Sequence, residues 1–307
     1  MACGKSIGLM KLLPTEHLVI LGDSRRMKRV KDCSVHLIVT SPPYWNIKKY
    51  PKNPFQLGNI SDYSSFLREL EKVWRECFRV LVPGGRLCII VGDICLSRRK
   101  YGRHRLIPLH SDLIQSCLRL GFDYLAPIIW YKIANVSTEV KRETYVLGNP
   151  NGPNSIIKND IEFILIFRKP GGYRKPSKKQ IELSRLSRKQ FVDFFTQVWR
   201  IKGESSNLHP APFPLRLAER LIRMFSYIGD TILDPFLGSG TTTIAAINSL
   251  RNSVGYEVEP SYLTLIKRRI FKEAQRDYKI KFIVDRIEGE LIKRIGNDIK
   301  LEPSINF

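Results

Sequence analysis

Residues 40–45 read Thr-Ser-Pro-Pro-Tyr-Trp and directly follow the apolar run Leu37-Ile38-Val39, so a Ser-Pro-Pro-Tyr tetrapeptide ends what reads as a buried strand. Two consecutive prolines fix φ and remove two backbone donors, which keeps the carbonyls of Ser41 and Pro42 out of a sheet ladder and free to accept from a ligand. Tyr44 adds a flat ring beside those acceptors. Paired acceptors next to a stacking face suit a planar group carrying an NH2, such as the amino edge of a nucleobase. A strand-to-loop turn in which Pro-Pro merely stops the ladder is the competing reading of the tetrapeptide alone.

A second chemical segment lies nearly two hundred residues later. Thr231-Ile-Leu-Asp234-Pro-Phe236-Leu-Gly238-Ser-Gly240-Thr-Thr-Thr243 reads as strand, glycine turn and helix start. Glycines there let backbone approach a ligand, and a helix N-terminus offers unpaired N–H groups to an anionic group such as a carboxylate. A dinucleotide site would want Gly or Ala where Thr243 stands, and a phosphate-binding P-loop would want Gly-Lys-Ser/Thr, which is absent. Neither ligand fits. Ser253-Val-Gly-Tyr-Glu257 follows as an apolar strand ending in a carboxylate. In doubly wound folds an acid at that tip accepts from ribose hydroxyls, which makes Glu257 a candidate for that role.

Both segments need elements to position them. Strands are expected near 17–21, 36–40, 86–91, 127–132, 161–167, 230–234 and 253–257, with helices near 24–31, 63–80, 108–119, 214–226, 241–250 and 260–275. Such alternation means an open, largely parallel sheet with helices on both faces. The chain has 307 residues, of which 43% are hydrophobic, enough for one substantial α/β core and a smaller excursion. No apolar run reaches membrane-spanning length and the N-terminus does not resemble a secretory signal, so a cytoplasmic location is expected. Cys3, Cys33, Cys77, Cys88, Cys95 and Cys117 form no Cys-x-x-Cys pair and read as reduced core residues. None follows a proline as the nucleophile of a cytosine-C5 methyltransferase would, and five scattered histidines offer no metal-ligand spacing, so no metal is expected.

Charge points to a polyanion. Against 29 Asp+Glu stand 51 Lys+Arg, a formal +22. One cluster is Arg98-Arg99-Lys100-Tyr-Gly-Arg103-His-Arg105, and a second, residues 168–189, includes Arg174, Lys175, Lys178 and Lys179 with only Glu182 opposing. These blocks are the candidate nucleic-acid contacts; phosphate contacts explain affinity rather than sequence choice. A solvated basic face is the plain alternative.

Taken together, these segments resemble an amino-group DNA methyltransferase of the permuted (beta) class, Ser-Pro-Pro-Tyr type, in which the catalytic motif precedes the cofactor motif. Also matching are Leu21-Gly22-Asp23, Arg79-Val-Leu-Val-Pro-Gly-Gly85, Leu120-Gly-Phe122, Ile129-Trp-Tyr-Lys132, Ile161 to Lys169 and His209-Pro-Ala-Pro-Phe-Pro214. The similarity spans roughly residues 15–275; the basic stretch at 168–190 and the tail past 275 depart from it. It implies a circularly permuted, Rossmann-like, mostly parallel seven-stranded α/β sheet with a loop-rich target-recognition insertion. The strands at 230–234 and 253–257 would insert beside that at 17–21, itself next to 36–40. Expected divisions are a catalytic half (1–132), a target-recognition region holding the core strand 161–167 (133–207), a cofactor half (208–275) and a tail (276–307).

By the same resemblance, the Ser41 side chain and the Pro42 carbonyl would accept from the target amine, Pro43 would complete the turn and Tyr44 would stack on the base. S-adenosyl-L-methionine would be the cofactor, lined by Asp234, Phe236, Gly238, Gly240, Thr241 and Glu257, with Asp23 at the adenine and Ala211 and Phe213 at the methionine end. Double-stranded DNA would be the substrate, its target base flipped out of the stack, within a restriction-modification system that implies a cognate endonuclease. Helix-rich surfaces near 63–80 suggest a homodimer by analogy. Ser rather than Asp at position 41 leans toward cytosine N4 over adenine N6. An RNA amino-methyltransferase and an inactive nucleic-acid-binding subunit are the remaining alternatives.

Overall fold

In a computed structural model, which describes residues 14–132, 156–157, 159–204 and 212–285, the architecture is one large twisted sheet between two helical layers. The strands are β1 (Thr15–Leu21), β2 (Val35–Thr40), β3 (Leu81–Val91), β4 (Ile94–Leu96), β5 (Arg105–Ile107), β6 (Asp123–Tyr131), β7 (Ile161–Arg168), β8 (Val198–Arg200), β9 (Thr231–Asp234), β10 (Asn252–Glu257) and β11 (Tyr278–Val284). The helices are α1 (Tyr63–Val80), α2 (Arg98–Tyr101), α3 (Leu109–Arg119), α4 (Lys178–Leu183), α5 (Arg188–Phe194), α6 (Leu215–Phe225), α7 (Thr241–Asn248) and α8 (Tyr262–Glu273).

Nine strands form the main sheet in the order β11-β1-β10-β9-β2-β3-β7-β6-β8, while β4 and β5 pair as a separate hairpin. Among the described strands of that sheet, only β7 runs against its neighbours. The seven strands expected from sequence form the uninterrupted centre, and β8 and β11 add one strand at each edge. One neighbour relation differs from expectation: β9 and β10 lie between β1 and β2, so β2 pairs with β9 rather than β1. That arrangement brings the ends of β2 and β9 together, which is what the two chemical segments require.

Period-two alternation splits the core across the sheet. Ile38, Leu87 and Ile89 face a layer built on α1 and α3, whereas Leu37, Val39, Cys88 and Ile90 face α6 and α7. On α1, Phe66, Leu70, Val73, Trp74, Cys77 and Val80 recur at three- and four-residue spacing and are buried, and the Asp62 side chain caps its first turn by accepting from Ser65 N–H. This apolar face is used up by the sheet, so α1 presents charged residues outward and gives the homodimer expectation no apolar surface there. On the other face, α6 buries Leu217, Ala218, Leu221 and Ile222, and α8 buries Leu263, Ile266 and Ile270.

Three expectations are corrected. Residues 24–31 are turns, not a helix, because Arg79 of α1 donates to the carbonyls of Met27 and Val30 and Glu76 accepts from Met27 N–H, replacing the intrahelical ladder. Cys33 and Cys95 are exposed rather than core, whereas Cys77, Cys88 and Cys117 are buried, and these five are free thiols. Part of the presumed tail is β11, paired in parallel with β1 over Thr15↔Tyr278 to Leu21↔Val284; its sequence, Tyr-Lys-Ile-Lys-Phe-Ile-Val, alternates as a strand with one face buried should.

Tyr278, Ile280, Phe282 and Val284 pack on the α8 cluster. Replacing Phe282 by Ala is expected to lower unfolding free energy by about 1–2 kcal/mol and the melting temperature by about 2–6 °C. Lys281→Ala, on the exposed side of the same strand, should stay within about 0.5 kcal/mol; thermal and urea unfolding of the two variants check the contrast.

Candidate active site

Strands β2 and β9 are parallel neighbours, paired at Leu37↔Ile232 and Ile38↔Leu233, so residues 41–44 and the loop 235–240 leave the sheet side by side. One buried carboxylate joins them. Asp234 ends β9 and accepts from Thr40 Oγ1 at 2.7 Å, from Thr242 Oγ1 at 2.6 Å and from Phe236 N at 3.0 Å. Burial pushes its carboxyl up to about 6, against the opposing pull of those donors. Asp234 is therefore a clasp beneath the cleft, binding the end of β2, the glycine loop and the start of α7 to one another.

Gly238 and Gly240 take φ of +55° and +86°, a region that other residues occupy only with strain. A Cβ on Gly240 would also come within 3.2 Å of Ile266 Cγ2. The turn delivers the chain to the first residues of α7, all buried. Arg269 on α8 braces it, donating to Ser239 Oγ at 2.7 Å, Ser239 O at 3.1 Å and Thr241 Oγ1 at 2.9 Å. Thr241 is thus occupied on its side-chain oxygen by Arg269.

Glu257 closes the opposite wall. Gly238 N–H donates to one of its oxygens at 2.7 Å and Glu259 N–H to the other at 2.9 Å. Burial raises this carboxyl to about 7. It lines a cleft of about 580 Å³, including the open mouth, at the carboxyl ends of the parallel strands. The lining comprises Asp23 and Ser24 after β1, Ser41, Pro42 and Pro43 after β2, Pro235, Phe236 and Gly238 after β9, and Tyr256, Glu257 and Val258 at β10. Over the top lies the segment after the tetrapeptide, with Tyr50, Phe55, Gln56 and Leu57, tethered to β10 by the Asn53 side chain donating to the Val258 carbonyl at 2.8 Å. Tyr262 completes the rim. A glycine cradle, two carboxylates and aromatic walls fit a nucleoside carrying a charged, amino-acid-like tail.

Among the described residues, no N–H donates to the carbonyl of Ser41 or Pro42, as the double proline leads one to expect. Tyr44 lies behind them, 7% exposed. Its hydroxyl accepts from Gly92 N–H at 3.2 Å and is within bonding reach of the Ser41 side chain and the Glu162 carboxylate. Burial and the Glu162 charge hold the phenol well above its ordinary value, so it stays protonated. Glu162 is itself ion-paired with Lys132. Gly92 sits in the gap: a Cβ there would lie 3.0 Å from Glu162 Cγ and 3.4 Å from Tyr44 Cε1.

Other expected site residues fall differently. Phe236 lines the cleft and also meets Trp74 edge to face at 6.1 Å. Asp23 reaches the cleft, but its carboxylate is bound by Arg25 Nε and Nη2. Phe213 packs with α6 in the core on the far side of β2 and β3 and is not brought to the cleft; Ala211 lies outside the described residues, as does most of the target-recognition stretch 133–160. The two basic blocks part company. Arg98, Arg99 and Lys100 form α2 in the β4–β5 hairpin, with Arg103 and Arg105 beside them, and this hairpin follows the carboxyl end of β3, on the same end of the sheet as Ser41. Arg174, Lys175, Lys178 and Lys179 follow the carboxyl end of the reversed strand β7, where Arg168 pairs with Arg86 at the start of the part of β3 that β7 shares, and so lie at the opposite end. Arg174 is spent on an ion pair with Asp230 just before β9. Glu162, Arg269 and the cover segment with Tyr50 and Asn53 were not singled out from sequence. The only available signal was proximity: Tyr50 to Leu57 follow the tetrapeptide closely.

Residues 35–268 match a family model described as DNA methylase, the N6/N4 type. Type II methyltransferase M.MjaI of Methanocaldococcus jannaschii is 37% identical over 303 residues, covering 88% of this chain and 97% of that protein. Type II methyltransferase M.MthZI of Methanothermobacter thermautotrophicus is 36% identical, covering 84% of this chain and 77% of that protein. Among solved structures, the putative DNA modification methylase TTHA0409 of Thermus thermophilus, crystallised with S-adenosyl-L-methionine, superposes with a TM-score of 0.70 at 47% identity over 86% of this chain and 99% of its own. The fold and its cleft define a Rossmann-like methyltransferase of the permuted kind. The chain belongs to the DNA methylase family.

Both raised carboxyls make stability depend on pH. As pH climbs from about 4 to about 7, the unfolded chain loses these protons first, while the folded chain holds them to about 6 at Asp234 and about 7 at Glu257. Unfolding free energy therefore falls through that window, by up to about 1.4 kcal/mol per pH unit for each group. Urea unfolding at pH 5 and pH 8 is expected to show this loss in the native protein and a flatter profile in Asp234→Asn/Glu257→Gln.

Proposed function

We propose that the protein is a type II restriction-modification methyltransferase that uses S-adenosyl-L-methionine to methylate the exocyclic N4 amine of cytosine in duplex DNA. The observation that carries this reading is the juxtaposition, in one cleft, of the undonated Ser41 and Pro42 carbonyls and the Ser41 hydroxyl, itself within reach of Tyr44, with the Gly238–Glu257 cradle. The type II relatives, and the SAM-bound neighbour at 47% identity, support the reaction class and the cofactor.

The difficulty in the reaction is the nucleophile, because the lone pair of an exocyclic amine is delocalised into the ring. The Ser41 hydroxyl and the Pro42 carbonyl accept from its two N–H bonds and pull the nitrogen toward tetrahedral geometry. Stacking on the base is assigned to the Tyr44 ring by the family resemblance alone, for here that ring is buried behind the acceptors and pinned at its hydroxyl by Gly92; the base itself must leave the duplex at a cost of a few kcal/mol. S-adenosyl-L-methionine, when bound, supplies a methyl group activated by its sulfonium. Glu257 accepts from ribose hydroxyls, Phe236 packs on the adenosine, and the loop at Gly238 and Gly240 admits the methionine moiety. Asp23, through its Arg25-held carboxylate, borders the adenine side. Proximity rather than a covalent enzyme intermediate provides the acceleration. Arg98, Arg99, Lys100, Arg103 and Arg105 contact the phosphates of the reacting duplex. The choice of cytosine rests on Ser41, a hydroxyl where an adenine enzyme would carry Asp; adenine N6 is the second reading.

Incubating the protein with labelled S-adenosyl-L-methionine and plasmid DNA, followed by nucleoside mass spectrometry, is expected to yield N4-methylcytosine; N6-methyladenine alone overturns the base assignment. Ser41→Ala should lower kcat at least about a hundredfold, roughly 3 kcal/mol, with cofactor affinity unchanged. Because the Glu257 carboxylate accepts fully only when ionised, cofactor affinity should rise up to about tenfold from pH 6 to pH 8 for a group at about 7. Glu257→Gln should abolish that rise, as calorimetry at the two pH values would register.

A further inference from the structure

The basic block at the far end of the sheet borders a second cleft, of about 1260 Å³ with its open mouth. Among the described residues, four guanidiniums line it, those of Arg86, Arg174, Arg185 and Arg223, against a single carboxylate, Asp230. That acid is 2% exposed and already engaged by Arg174 and by Tyr227 N–H at 2.7 Å. Arg86 donates from Nη1 to the Gly84 carbonyl at 3.2 Å, but its Nε is buried with no acceptor. The Arg86 side chain also bonds the Tyr173 hydroxyl at the cleft wall, and four guanidiniums against one committed carboxylate leave a net positive charge in the cleft that an oxyanion would offset.

Aromatic faces accompany the charge. The Arg86 guanidinium lies 6.0 Å from the centroid of Tyr173 and 5.7 Å from that of Phe225. At the rim Phe191 and Phe195 stack at 4.6 Å while remaining 56% and 48% exposed. Exposed rings interleaved with guanidiniums make a surface suited to nucleic acid. Lys175, Lys178 and Lys179 are exposed, in or just before α4, the helix that leads into the lining residues Ser184, Arg185 and Leu186.

We propose that this rear cleft binds the phosphodiester backbone of a second nucleic-acid segment, distinct from the one whose base enters the catalytic cleft. Arg86 and Val91, at the two ends of the shared stretch of β3, are separated by roughly 17 Å of strand. A straight duplex lying across the carboxyl end of the sheet cannot also lie across its amino end. The enzyme thereby holds itself on long DNA by contacts that a short substrate does not use. The inference rests on membership of the DNA methylase family and is independent of which base is modified.

The test compares the full-length protein with Lys175→Gln/Lys178→Gln/Lys179→Gln/Arg185→Gln, all at exposed positions. Binding to long DNA lacking the target site is measured across a salt series, and turnover is measured on a short duplex carrying a site mapped from methylated plasmid. Removing four phosphate contacts should flatten the slope of log K against log salt by about 3–4 and weaken long-DNA binding at least tenfold. Turnover on the short duplex and cofactor affinity should stay within twofold. An unchanged salt slope overturns the proposal, as does an equal loss on the short duplex, which would assign the block to the reacting DNA. Inorganic phosphate binding abolished in the variant, with long-DNA affinity intact, would assign the cleft to a free anion and overturn it as well. Arg86→Leu is the second variant: loss of long-DNA affinity with an unchanged melting temperature is expected, and unchanged affinity counts against the cleft.

Discussion

The catalytic end depends on one buried carboxylate accepting from two threonines. Asp234 takes hydrogen bonds from Thr40, the last residue of β2, and from Thr242, in the first turn of α7. Each of those threonines adjoins a chemical segment: Ser41 follows the first, and Gly240 precedes the second by two residues. The clasp therefore holds the Ser41–Tyr44 loop and the glycine cradle in fixed relation. In so dry a setting the carboxylate resists ionisation, and its burial is offset by the three donors that converge on it.

A second layer of restraint stands behind Ser41. Tyr44 is held by Gly92 N–H and lies against Glu162, and Glu162 is paired with Lys132, so β3, β6 and β7 all converge on the back of the tetrapeptide. Glycine at position 92 fits this packing, since a Cβ there would lie close against Glu162 Cγ and in contact with Tyr44. On the other wall, Arg269 and Glu257 hold the glycine loop from α8 and β10. The cleft-lining groups thus sit on short loops, but these loops are tied to strands or helices around the central sheet. This is how a site gains positional accuracy without lying on regular structure.

Much of this was legible in the chain. The centre of the sheet and α1, α3, α6, α7 and α8 follow from hydrophobic periodicity, because strands buried on both faces read as apolar runs and helices that cover them read as stripes. Helix α1 begins and ends where its cap and its apolar stripe say it should. Residues 24–31 misled for a physical reason: their helix-like composition is outweighed by Arg79, a side chain some fifty positions away that takes their carbonyls. Strand β11 was legible too, as an alternating run of seven residues, but pairing with β1 at an edge is a non-local event that local pattern cannot reveal. Phe213 illustrates the same limit, since an aromatic beside a functional motif can as well face the core.

By itself, the sequence determined which groups could do chemistry: Pro-Pro frees carbonyls by removing donors, glycines permit left-handed turns, and a strand-terminal Glu supplies acceptors. Those are properties of covalent structure and hold wherever the residues fall. Only the tertiary structure decided that β2 and β9 are neighbours, that Asp234 joins them, and that the two basic blocks occupy opposite ends of the sheet. The last depends on strand direction: among the described strands of the main sheet β7 alone runs backwards, so the chain after it emerges at the end away from Ser41. Direction and adjacency are set by packing between segments far apart in sequence, and no single segment carries that information.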